Sequence, residues 1–181
     1  MKTYICLLRG INVGGHNSLP MKELTALLEA LGLSDVKSYI QSGNVVFRGK
    51  SKAVSRLATE IAAGIEKRKG FEPKVLILRP EDVERAIAGN PFPEAEDEPK
   101  TLHVGFLDTK PSKPDLKKLE SMKKPNERFK LAGRLFYLHA PDGIGRSKLS
   151  AAAERAIGVP MTGRNWRTVC KIREMVETLD G

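Results

Sequence analysis

The chain is poor in the residues that most metal, redox and disulfide chemistry requires. Its 181 residues include two cysteines, three histidines and one tryptophan. Cys6 and Cys170 have no metal-ligand spacing, and His16, His103 and His139 are scattered, so neither a metal centre nor a cofactor is expected. No apolar run approaches the about 20 residues of a membrane span. The opening "MKTYICLLRG" lacks a small-residue cleavage site and reads as a first strand, not a signal peptide. A cytoplasmic protein with reduced thiols and no membrane partner is the expectation. Also missing are G-x-G-x-x-G, G-x-x-x-x-G-K-[ST], helix-turn-helix and zinc-finger spacings, and any carboxylate pair in a glycine-rich loop. Nothing in the sequence bears on oligomeric state.

What is present is an ordinary globular composition, 40% hydrophobic and 29% charged, with a net charge of +9. The charge is uneven along the chain. Residues 1–99 hold 14 Lys and Arg against 13 Asp and Glu, whereas residues 100–181 hold 17 against 9. An acidic run, Glu94 to Glu98, lies just before the step. This asymmetry points to two modules, the second facing an anion such as nucleic acid or a phosphorylated ligand. The competing reading is a solubilising surface with its lysines spread around it.

Periodicity supports the division. Residues 3–9 read as a strand, and a helix over about 20–31 places Leu24, Leu27, Leu28 and Leu31 on one face. "VKSYIQ" and "NVVFRG" flank a Ser42-Gly43 turn as a hairpin. A second helix over about 52–68 and a strand over 74–79 complete the order β-α-β-β-α-β. A short helix and the acidic, proline-rich "NPFPEAEDEP" then read as a linker, residues 81–99. The pattern recurs in residues 100–181, followed by a helix over 165–179. The fold class is therefore α+β: two ferredoxin-like subdomains, 1–80 and 100–181, with mostly antiparallel sheets and an extra C-terminal helix. Strands one, four and five are apolar on both faces, so each sheet's second face should be covered.

This topology gathers the polar motifs at two sheet edges. The end of strand one, "RGINVGGHN", meets the hairpin tip "QSGN". In the second module "HAPDGIGRSK" meets "TGRNW". At the first edge, Arg9, Asn12, His16, Asn17, Gln41, Ser42 and Asn44 offer polar side chains, and Gly14 and Gly15 expose backbone to an anion. The alternative is that the glycines supply positive φ to a turn and the asparagines bond its backbone. At the second edge, Arg146 and Lys148 lie at a helix start, where cations oppose the dipole unless an anion is present. Asp142 reads otherwise as part of an Asp-Gly turn, and Ser147 and Asn165 as N-caps. Arg164 offers a phosphate fork, and Trp166 is either a core anchor or a stacking platform. Strand three, "NVVFRG", lacks the aromatic pattern of the RNA-binding form of this topology.

"LLRGINVGG", "YIQSGNVVF", "PDGIGRSKL" and "T-x-RNW-x-TV", in that order, resemble the bacterial family called domain of unknown function 1697. The resemblance spans essentially the whole chain, with Gly163 standing where alanine is expected. It implies two ferredoxin-like subdomains and no established activity, substrate or cofactor.

Three functional readings follow from the residues. The first is an anion-binding module for nucleic-acid backbone or a phosphorylated ligand. The second is an enzyme acting on a small phosphate- or carboxylate-bearing substrate; no nucleophile with a spaced base supports it, and no catalytic residue is assigned. The third is a protein-interaction domain whose motifs only determine the fold.

Overall fold

In the computed structural model, which describes residues 1–181, the same element order occurs twice. The first set is β1 (Lys2–Arg9), α1 (Met21–Ala30), β2 (Ser34–Tyr39), β3 (Asn44–Gly49), α2 (Val54–Lys69) and β4 (Lys74–Leu78). After α3 (Pro80–Ala88) come β5 (Leu102–Leu107), α4 (Leu116–Met122), β6 (Arg128–Ala132), β7 (Leu135–His139), α5 (Lys148–Ile157) and β8 (Met161–Asn165). The chain ends in α6 (Trp166–Asp180). Two four-stranded antiparallel sheets result, in the orders β2-β3-β1-β4 and β6-β7-β5-β8. Both are the ferredoxin-like arrangement.

The chain divides into two compact units. Met1–Arg85 and Lys171–Gly181 form one, and Ala86–Cys170 the other. The later part of α6 thus belongs with the first unit, although its sequence position suggests the second. Side-chain bonds explain the placement: Thr3 donates to Asp180 at 2.6 Å, and Arg48 donates to the Leu179 carbonyl.

In the first unit, the helix-facing side of the sheet presents Tyr4, Cys6, Leu8, Val45, Phe47 and Ile77. Leu24, Leu27 and Leu28 of α1, and Leu57, Ile61 and Ile65 of α2, close over them. This is the spacing of one apolar helical face. Leu31 lies just past the end of α1 and is exposed. The other side of the sheet is buried as well, at Ile5, Leu7, Val46, Leu76 and Leu78. In the second unit, Leu107, Phe136 and Leu138 of the sheet pack with Leu119 of α4 and with Leu149, Ala153, Ala156 and Ile157 of α5. On the opposite face Tyr137 is fully buried, and its hydroxyl donates to the Ala86 carbonyl of α3 at 2.7 Å. Burial pushes that phenol up to about 12.

The proline-rich segment before β5 is folded rather than a solvated link. Pro93–Asp97 make a 3₁₀ turn, and Phe92 and Ala95 are buried. Arg128 lies over the Phe92 ring, 4.6 Å from its centroid, and forms an ion pair with Glu94. The acids of 94–98 therefore count with the second unit. That unit holds 15 Lys and Arg against 10 Asp and Glu, and the first holds 16 against 12. The charge step at residue 100 is a step along the sequence, not a difference between compact units.

Candidate functional site

At the first sheet edge, "INVGGHN" folds as a miniature β-hairpin. Val13 and His16 form an antiparallel bridge, the His16 N–H donates to the Val13 carbonyl at 3.0 Å, and the Asn12 N–H donates to the Asn17 carbonyl at 3.1 Å. Gly14 (φ 58°) and Gly15 (φ 76°) supply the two positive φ angles that a two-residue primed turn demands. The asparagines anchor this finger. Asn12 donates to the carbonyls of Leu19 (2.9 Å) and Gln41 (2.8 Å) and accepts from the Leu19 N–H (2.7 Å). Asn17 donates to the Gly10 carbonyl at 2.8 Å. Both amide hydrogens of Asn12 are thereby spent.

The bond from Asn12 to Gln41 ties the finger to the β2–β3 hairpin, so the two motifs do share one edge. The Leu8 N–H also donates to the Gly43 carbonyl at 2.8 Å. Asn44 is fully buried and donates to the Tyr39 carbonyl and the Ser42 hydroxyl. Arg9 ends β1 in register with Lys74. The finger's tip, from Val13 to His16, is exposed, as is Gln41. The amides at this edge thus serve the loop's own backbone, and what faces outward is the glycine turn, Val13, His16 and the Gln41 side chain.

At the second edge, Leu102 pairs with His139 and His103 with Asn165, so the ends of β7 and β8 flank the start of β5. Asp142 accepts from Lys124 at 3.2 Å and from Asn126 at 3.3 Å, and these bonds hold its carboxyl below the usual range. Ser147, 3% exposed, caps α5 by accepting from the Ser150 N–H. Asn165 accepts from the Thr168 N–H at the start of α6. Trp166 is 4% exposed and serves as a core anchor. Arg164 donates to the Gly163 carbonyl. The "DGIGRS" backbone closes on itself, with the N–H groups of Gly143, Arg146 and Ser147 bonded to local carbonyls. Arg146 and Lys148 remain exposed, and neither forms an ion pair.

Lys148 also belongs to a constellation that loop motifs did not single out. Between α4 and α5 runs an open groove of about 360 Å³ with Met122, Ala151 and Ala152 on its floor. Its rim carries Lys118, Lys148 and Arg155, none of which has a carboxylate partner. Helical spacing builds it: Lys148, Ala152 and Arg155 stand at i, i+4 and i+7 on α5, and Lys118 and Met122 at i and i+4 on α4. Each half of this pattern is legible within its own helix. What joins them is the packing of α4 on α5.

No group of three or more His, Cys, Asp or Glu side chains comes together that could hold a metal ion. No helix is long and apolar enough to cross a membrane.

Comparison with known proteins agrees with this architecture. The solved structure of the conserved bacterial protein SP0830 from Streptococcus pneumoniae is 26% identical, with a TM-score of 0.68. The alignment covers 96% of this chain and 98% of that one. No curated protein matches the chain. The family model described as a protein of unknown function, DUF1697, matches residues 1–137, which include the glycine finger and the β2–β3 hairpin and stop short of "PDGIGRSK" and "TGRNW". The chain belongs to the DUF1697 family.

Proposed function

We propose that the protein is an anion-binding module that takes a nucleic-acid backbone or a phosphorylated ligand on the α4–α5 face of its second unit. The observation behind this reading is the cation-rimmed groove. Lys118, Lys148 and Arg155 surround it, while nearby carboxylates are engaged elsewhere. Glu120 pairs with Lys123, Asp142 with Lys124, and Glu154 accepts from the Met161 N–H. Three cations held on two packed helices, with no acid to neutralise them, repel one another until a counter-anion binds. Arg146, exposed just before α5, extends the same positive surface.

Binding of this kind is dominated by counterion release, so its affinity falls steeply with salt. The test is fluorescence anisotropy of a labelled oligonucleotide with the full chain at about 50 mM and about 200 mM salt. The expected result is binding at the lower salt that weakens by an order of magnitude or more at the higher. Absence of binding at low salt to single strand, duplex and polyphosphate alike would end the proposal.

A further inference from the structure

The first unit holds a second, unrelated feature. A cavity of about 660 Å³ opens where the start of β1, the end of β3, the residue after β4 and the C-terminal end of α6 converge. Lys2, Thr3, Arg48, Arg79, Glu81 and Asp180 contribute to its wall. The size is that of a small-molecule site.

Three of these six polar side chains are already committed to the end of α6 or to one another. Thr3 donates to Asp180, and Arg48 donates to the Leu179 carbonyl and lies 3.8 Å from the Asp180 carboxylate. Arg48 thus neutralises the carbonyl end of α6. Arg79 differs. Its backbone N–H donates to the Asp82 carboxylate at 2.9 Å, but its guanidinium forms neither a hydrogen bond nor an ion pair. Asp82 is itself paired with Arg85.

The guanidinium of Arg79 rests over the ring of Tyr4, 5.8 Å from its centroid. That ring is fixed in place. The Tyr4 hydroxyl donates toward the carbonyls of Lys50 and Lys52 at 3.3 Å and accepts from the Lys52 N–H at 3.1 Å, and the ring stacks with Phe47. A guanidinium stacked on a rigid aromatic platform keeps its in-plane N–H donors for a partner and loses little freedom when one arrives.

We propose that this cavity binds a small molecule through one phosphate or carboxylate group, with Arg79 as the bidentate anchor and Lys2 as a second cation. A planar fork of donors matches either oxyanion. Glu81, exposed on the same wall, repels further negative charge, so the site favours one oxyanion group on a small body over a polyanion. This site is independent of the α4–α5 groove, in position and in ligand size.

The test is isothermal titration of the full chain with inorganic phosphate, acetate and adenosine monophosphate, together with amide chemical shifts on labelled protein. Saturable binding of at least one probe is expected, with shifts at Lys2, Thr3 and Arg79. Arg79→Lys keeps the charge and the stem but loses the fork, and should weaken binding about tenfold or more. Glu81→Gln should tighten it. Arg79→Gln serves as a second variant, its folding checked by the same spectra. No saturable binding of any probe would overturn the proposal. So would binding that ignores both Arg79 variants, or binding that is lost only when Lys118, Lys148 and Arg155 are replaced; that last result would leave the groove as the sole anion site.

Discussion

Gly43 shows how closely single residues are constrained at the first edge. Its φ is +77°, and a Cβ there would stand 2.5 Å from the Leu8 Cβ, an atom with no freedom to move aside. Left-handed backbone costs an ordinary residue about 1–2 kcal/mol, and overpacking adds about 1–3. Gly43→Ala is therefore expected to lose about 2–5 kcal/mol in urea denaturation. Three residues earlier, Ile40 holds φ +50° and is 51% exposed. A β-branched residue is strained in that region and here gains little burial in return. Ile40→Asn should stabilise the fold by about 1 kcal/mol; a loss of stability would mean that the isoleucine makes a contact worth more than its strain. Histidine sets the pH dependence. Burial lowers the His103 imidazole below its usual 6.5, opposed by the Thr101 backbone. His139 is lowered by burial and then by Arg128. Below 6.5 the unfolded chain binds more protons than the native one, so this stability is present above that value and is lost progressively as pH falls from it through the lowered native values. The urea midpoint should drop between about pH 7.5 and about pH 5.5, and His103→Gln should flatten the drop. Glu94 and Asp142, both lowered by cationic or hydrogen-bonding partners, act in a separate window below about pH 4.5.

Among the elements, the Val13–His16 finger is the part that turns a sequence motif into a shape. Asn12 secures it with three side-chain bonds, and a net of about 1 kcal/mol for each predicts that Asn12→Ala costs about 2–3 kcal/mol. The same change should speed amide exchange at His16 while β1 stays protected; unchanged exchange would show that the glycine turn holds without its anchor. Much of the fold was legible in the sequence, because α1, α2 and α5 carry apolar residues at helical spacing and the βαββαβ order repeats. The N-cap roles of Ser147 and Asn165 were legible as well, since their residue types and positions suffice for capping. Other features were not. Gly14-Gly15 is a primed-turn signature, yet its strands are one bridge long and leave no alternation to detect. Residues 90–99 read as a linker because seven acidic and proline positions mask the two buried anchors, Phe92 and Ala95. The rim of the groove is not legible in the sequence, because Lys118 and Arg155 lie on different helices and meet only through packing.

For the whole molecule, the +9 charge matters less than where unpaired cations gather. Both compact units are moderately basic, so a net-charge argument would have either of them bind polyanions. The α4–α5 face is distinguished by Lys118, Lys148 and Arg155 around one groove without acidic partners. The most direct measurement is the dependence of oligonucleotide affinity on salt for the native chain and for a Lys118→Gln, Lys148→Gln, Arg155→Gln variant. Each phosphate contact contributes about 0.7–0.9 to the slope of log affinity against log salt, so the triple variant should bind more weakly with a slope shallower by about 2–3. Equal slopes, or no binding by the native chain at low salt, would contradict an anion-binding role for this face.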